Sequence, residues 1–330
     1  MSEPLSPWLP RRLSSSPATV SGVLVLLVLT GAFAAAGVLN PNVLPSYASS
    51  RREVIGMALM LITLPAYFVA AAIAVRRHSL SLVEAMRPAT RNDSAIETAH
   101  ASIEHGLSKI WSRGILLGLL LSWPNTSIVE ALAAETARNI HIAISLGQIL
   151  LWLCVGLFFI MRLDAARTFR RLSEIVDIDL FALDRLHPLA RSGLADVMVV
   201  AGALAFSPLQ SLDAEFRLYN YTFGMSVAIV ASSILLIWPL QTIHRRIRDK
   251  KNAEVTRLNQ QIAELPRSAD PTATQQLELL LLHRDRVADL GTWLLSTSLV
   301  SRVFLYLIIP PLAWVGAAIV ERFVDQILAS

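Results

Sequence analysis

The stretch Glu97-Thr98-Ala99-His100, followed at once by Glu104 and His105, has the residue types and spacing of a metal-ligand pair. Positions three and four apart share one face of a helix, and di-metal carboxylate proteins present such Glu-x-x-His pairs from facing helices. Here there is one copy, and its surroundings are those of the solvated side of an amphipathic helix, so no metal ligand is assigned. No H-E-x-x-H, C-x-x-C, G-x-S-x-G or phosphate-cradling glycine loop occurs, and with them go the common routes to hydrolysis, redox and phosphoryl chemistry. Cys154, the single cysteine, lies in an apolar run and has no second thiol to pair with. Asn125-Thr126-Ser127 spells a glycosylation sequon, which in a bacterial protein arises by chance. The expectation is a non-enzymatic protein with no catalytic residues and no cofactor.

More informative are charges placed where charge is expensive. Glu130, Asp196 and Arg302 fall inside or at the edge of long apolar runs, with Gln148 as a neutral companion. An ionisable group at membrane depth must be paired, solvated or snorkelled to an interface. Each therefore reads either as an interhelical contact near a helix end or as part of an aqueous pathway. The run from Leu307 to Phe323, LIIPPLAWVGAAIVERF, adds Pro310 and Pro311 in mid-helix. Two missing backbone donors predict a kink whose freed carbonyls need neighbours or water. The small residues Ala313, Gly316, Ala317 and Ala318 follow at once and allow close helix approach. The candidate pathway or gate set is Arg302, Pro310, Pro311, Gly316, Glu130, Asp196 and Gln148.

The elements that must position these residues are transmembrane helices. With 54% hydrophobic and 16% charged residues over 330 positions, the chain is too apolar for an ordinary soluble domain, where about 25% of residues are charged. Seven runs free of Asp, Glu, Lys and Arg predict spans at Ala18–Leu39, Val54–Val75, Gly114–Ala134, Ile142–Met161, Gly193–Leu212, Tyr221–Ile243 and Val303–Val320. The third is interrupted by Trp123-Pro124-Asn125-Thr126. His141 and His244 fall at the ends of spans. Basic residues are strongly one-sided. Six lie between spans two and three, six between four and five, and nine between six and seven, alongside Arg11 and Arg12. Only Arg51, Arg52, Arg138, Arg217 and Arg322 lie on the other side. That bias predicts a cytoplasmic N-terminus and an outer C-terminus. With Arg far outnumbering Lys and many alanines, it points to a multi-pass protein of a bacterial inner membrane. The basic pI of about 9.6 then reflects insertion and anionic lipid headgroups on the cytoplasmic side, and nucleic acid is not an expected partner. The first span also resembles a signal peptide, but its apolar run of about 22 residues favours a retained anchor.

Between the spans, helices continue on the cytoplasmic side. Val255, Leu258, Ile262 and Leu265 form an apolar seam of coiled-coil spacing. Pro266 and Pro271 mark a turn, and Leu277, Leu280, Leu281, Val287 and Leu290 return. Ile96, Ile103, Leu107 and Ile110 make a second stripe, and Phe169, Leu172 and Ile175 a third. The expected organisation is an all-α polytopic protein. Spans one to six with short amphipathic helices occupy 1–242, a cytoplasmic helical hairpin 243–290, and the final kinked span 291–330.

In outline this organisation, seven spans from a cytoplasmic N-terminus to an outer C-terminus with cytoplasmic extensions, resembles the insect odorant and gustatory receptor channels, whose last helix lines a pore. That family's terminal Thr-Tyr and Gln-Phe signature is absent from Arg302–Phe323, so no residue role is carried over. The resemblance implies a homo-oligomeric channel or channel-like receptor. A membrane signalling or scaffold protein, docking a cytosolic partner through 243–290, is the alternative. A secondary transporter is the third, disfavoured by the absence of an internal repeat.

Overall fold

A computed structural model of the chain describes residues 16–40, 51–90, 92–105, 107–126, 128–134, 137–206, 209, 219–265, 271–292, 301 and 305. Among these the regular structure is all helical: α1 (Pro17–Ala35), α2 (Arg51–Ala85), α3 (Asp93–His105), α4 (Leu107–Ser122), α5 (Ile128–Ala133), α6 (Arg138–Ile175), α7 (His187–Leu204), α8 (Tyr219–Glu264) and α9 (Pro271–Asp289).

Local signals account for several boundaries. Ser16 caps α1, its hydroxyl accepting from the Thr19 amide at 3.2 Å, with Pro17 in the first turn. At the other end Gly37 takes a φ of +83°. Its amide bonds the Ala34 carbonyl while the Val38 amide bonds Phe33, a Schellman termination that a glycine makes without strain. Pro124 sits in the short 3-10 turn Trp123–Asn125 that separates α4 from α5. The third expected span is thus two helices, one of 16 and one of six residues. α6 begins after Ala137, held at φ +51°.

Among the described residues, four helices are long and apolar enough to cross a membrane: Pro17–Ala35, Val54–Ala89, Arg138–Ile175 and Phe223–Glu264. They contain expected spans one, two, four and six. Expected span five lies largely in α7, of 18 residues, and expected span seven lies outside the described residues. The lengths are the telling feature. α2, α6 and α8 have 35, 38 and 46 residues, about 52, 57 and 69 Å of helix, against about 30 Å of hydrocarbon. A helix of that length that crosses a bilayer continues well beyond it. α8 runs without interruption through 242 and 243, so the first arm of the hairpin is an extension of span six.

Two apolar clusters divide the helices: α2, α6 and α7 contribute to both, and α8 to the second. The first joins Phe33, Leu61, Phe68, Ile144 and Phe158. The second joins Val83, Ile96, Phe169, Leu189, Ile247 and Leu258. Around the first, large apolar side chains point outward: Leu24, Leu27, Leu116, Leu120 and Val230 are all exposed. In water that arrangement would be costly; in hydrocarbon it is the expected surface. Around the second the stripes read from the sequence turn inward. Ile96, Leu172, Leu258 and Val287 are buried. Ile175 departs from expectation at 48% exposed. α6 ends there, and Val176 swings to an extended ψ of 137° and takes the buried place.

Candidate functional site

At the level where one cluster gives way to the other lies a buried ion pair. Arg162 of α6 and Asp196 of α7 are each 1% exposed. The Arg162 Nε donates to Asp196 Oδ1, and Nη2 donates to Oδ2 at 3.3 Å. The remaining guanidinium nitrogen, Nη1, donates to Ser79 Oγ of α2 at 2.9 Å, and Ser79 is fully buried. Planar guanidinium and carboxylate match two bonds at once, which fixes orientation as well as distance. The three residues come from three helices, and on each helix they fall between the residues of the two clusters. On α2, Val75 belongs to the first and Leu82 to the second, with Ser79 between them. On α6 the flanking residues are Phe158 and Phe169, and on α7 they are Ala190 and Val199.

α7 is held against both α8 and α2 beside this node. Gly193, one turn before Asp196, lies against α8, where an added methyl group would stand 3.2 Å from the Leu235 carbonyl oxygen. That carbonyl is the one whose usual helix partner is removed by Pro239. Nearby, the Tyr67 hydroxyl of α2 donates to the Val199 carbonyl of α7 at 2.9 Å. The Arg162–Asp196 pair therefore sits in a site defined on all sides.

Chemically the node is closed. Arg162, Asp196 and Ser79 are turned onto one another and away from the surface. The physical effect of the charge pair is to make separation of α6 from α7 expensive, since a charge left alone in the apolar interior has no compensation. Among the described residues no group of three or more His, Cys, Asp and Glu side chains could hold a metal. Glu97 is exposed, and His100 stands 3.5 Å from Glu104 on its own helix.

Of the other sequence-derived candidates, only Gln148 has a described side chain, and it is not brought to this node. Gln148 is half-buried on α6, 14 residues and about 21 Å along the helix from Arg162. Glu130 is in α5, its side chain outside the described residues, as are Arg302, Pro310, Pro311 and Gly316. Arg162 and Ser79 were not among the candidates. Arg162 directly follows an apolar run and so reads as an interfacial anchor; only the fold brings it to Asp196, 34 residues away.

Other basic residues of the extramembrane region also have internal duties. Arg76 donates to the Ile103 carbonyl at 3.2 Å and to the Glu104 carbonyl, closing the end of α3. Arg246 and Lys250 of α8 donate to the Ser173 and Ile178 carbonyls at the end of α6. Lys251 donates to the Ala288 and Leu290 carbonyls at 2.6 and 2.8 Å, closing α9. Cations at helix C-termini satisfy orphan carbonyls and oppose the negative dipole end. Compared with known protein families, curated proteins and solved structures, the chain matches none.

Proposed function

We propose that the chain is a non-enzymatic multi-pass protein of a bacterial inner membrane, a channel-like receptor whose spans and cytoplasmic helical bundle move as coupled halves. The observation that carries this reading is the passage of α2, α6 and α7 unbroken through both apolar clusters, with Arg162, Asp196 and Ser79 cross-linking the three at the junction. A continuous helix cannot tilt or turn in the bilayer without displacing its extramembrane end, and packed cores switch between discrete arrangements rather than deforming smoothly. The outward apolar side chains support membrane insertion, and the basic-residue bias supports seven spans with the N-terminus cytoplasmic and the C-terminus outside. On this reading the kinked last span, with Arg302, Pro310, Pro311 and Gly316, contributes the pathway in a homo-oligomer.

Flux through liposomes reconstituted with the purified protein tests the channel element. Silence under every ion and gating condition tried would overturn it. Topology has its own test: a reporter fused after Ser330 should be active outside the cytoplasm, and one inserted at Ala269 active inside. Cytoplasmic activity at Ser330 would remove the seventh span from the scheme.

A second reading is favoured by α9, where Leu279 and Leu282 are 67% and 61% exposed on an extramembrane helix. Exposed leucines one turn apart suit a docking surface for a cytosolic protein. Pull-down with the native chain and with Leu279→Ser/Leu282→Ser separates the readings, because a channel keeps its flux when that surface is lost.

A further inference from the structure

At the level of the ion pair, Leu163 of α6 and Ser233, Ile234, Ile237, Trp238 and Gln241 of α8 line an open groove of about 400 Å³. At its extramembrane end the guanidinium groups of Arg167 and Arg170 lie over the Trp238 ring, 5.9 and 5.5 Å from its centroid. We propose that this groove holds one anionic phospholipid, with an acyl chain against Leu163, Ile234 and Ile237 and the phosphate on Arg167 and Arg170. The assignment rests on the membrane reading given above.

Shape and charge both point to this occupant. The groove is apolar along its length and cationic at one end, which is the complement of a lipid with a charged headgroup. It lies where the outward-facing apolar surface of the first cluster ends, the depth at which headgroups and amphipathic indoles meet. Arg167 and Arg170 are 41% and 42% exposed, so their donors are accessible. Asp164 engages Arg167 at 2.7 Å and Glu174 approaches Arg170 at 3.8 Å. Neither pairing exhausts the five N–H donors of a guanidinium. Arg171 on α6 and Arg245, one turn past Gln241 on α8, extend the positive charge beyond the groove. The cation–π contact with Trp238 holds the two guanidiniums at the end of the groove, and the donors not engaged by Asp164 and Glu174 are left to take phosphate oxygens. Basic pockets between membrane helices are suited to anionic headgroups for this reason.

The test uses purified full-length protein in detergent with equimolar phosphatidylglycerol and phosphatidylcholine, bound lipids being counted by native mass spectrometry. The native chain should retain one phosphatidylglycerol with a preference of roughly tenfold over phosphatidylcholine. Arg167→Gln/Arg170→Gln should bring that preference close to one, while Arg284→Gln/Arg286→Gln on α9 should leave it unchanged. Equal retention of the two lipids by the native chain would overturn the proposal, as would an unaltered preference in the Arg167/Arg170 variant. Should that variant fail to fold, Ile237→Trp fills the groove and keeps both arginines; phosphatidylglycerol retained at native preference would again overturn the site. Alkaline carbonate extraction separates the two levels of failure. Release of the native chain from membranes would remove the membrane reading together with the site, whereas a retained chain without lipid preference removes the site alone.

Discussion

The two apolar clusters share α2, α6 and α7 but are built by different physics. In the first, beside side chains such as Phe33, Leu61 and Phe158, helices also meet through glycines that admit no side chain. A methyl group at Gly156 would stand 2.5 Å from the Gly114 carbonyl oxygen, and one at Gly118 would stand 2.6 Å from the Leu153 Cα. Gly22 is pressed similarly onto Ala70, and Gly147 onto Phe33. In the second, large aliphatic and aromatic side chains fill the space, and helix ends are closed by Arg76, Arg246, Lys250 and Lys251. Lipid tails are as apolar as leucine, so burying a large side chain between spans gains little over leaving it outside, and close backbone contact does the work of association. Water restores the advantage of apolar burial and also offers competition for every orphan carbonyl, which is why capping belongs to that half. The Arg162–Asp196–Ser79 node marks the change of regime.

The largest effect should come from breaking that node on one side only. Arg162→Met leaves Asp196 buried without a partner, at a cost of about 3–5 kcal/mol, and Asp196→Leu does the same to Arg162. Arg162→Met/Asp196→Leu replaces the pair by apolar side chains of similar volume and should recover most of the loss, because desolvation of both charges is then avoided. Heat stability in detergent for the three variants gives the cycle. A double variant as unstable as either single one would mean that the pair contributes more than mutual compensation, and the two clusters would then depend on a specific polar joint.

Much of this division was legible from the residues, and the parts that were not share a cause. Charge-free runs, the Trp123-Pro124 break, and the stripes through Ile96, Leu172, Leu258 and Val287 are one-dimensional patterns, because apolar spacing records which face of a helix is covered. Asp196 stood out because its own neighbours are apolar. Arg162 did not, since a basic residue at the end of an apolar run looks the same whether it anchors to headgroups or turns inward to a partner on another helix. The same ambiguity hid the capping roles of Arg76, Arg246 and Lys251, which depend on a second helix ending nearby. Glycine positions were visible only in part. Gly316 reads as a packing residue, whereas the tight crossing uses Gly114, Gly118 and Gly156; a methyl at Gly31 would meet nothing within 4 Å. Small size permits close approach, but the sequence does not say which small residue is approached.

That crossing supplies the second prediction. Gly156→Ala should push α4 from α6 and cost about 1–3 kcal/mol, since backbone atoms of Gly114 and Gly118 cannot swing aside as a flexible side chain would. The same exchange at Gly31, where the space is open, should be neutral or slightly stabilising through helix propensity. Thermal melts of both variants in detergent are the measurement. Equal stability of Gly156→Ala and the native chain would show that the first cluster tolerates separation of its helices, and the contrast between backbone-packed and side-chain-packed halves would be lost.

The smallest effect should be local to the second cluster. Lys251→Met keeps the apolar stem of the side chain but removes the two bonds to the Ala288 and Leu290 carbonyls and the positive charge at the C-terminus of α9. The bonds are charge-assisted but partly exposed to solvent, so the loss should be about 1–2 kcal/mol. It should fall mainly on the hairpin, because α9 is held to the rest chiefly through α8 and, near its end, by the His244 Nδ1 contact with the Thr292 carbonyl at 3.0 Å. Amide hydrogen exchange resolves the distribution. Amides of α9 should exchange about tenfold faster in Lys251→Met, as expected for that loss of local stability, while those of Ile140–Phe158 in the first cluster should keep native rates. A uniform acceleration along α6 and α9 would mean that the two clusters open as one unit. The extramembrane half would then report on the spans through shared stability, and a proposed coupling through rigid helices alone would be too narrow. Confinement to α9 would instead place the hairpin at the low-stability end of the molecule, where a partner or a change in the spans can rearrange it at small cost.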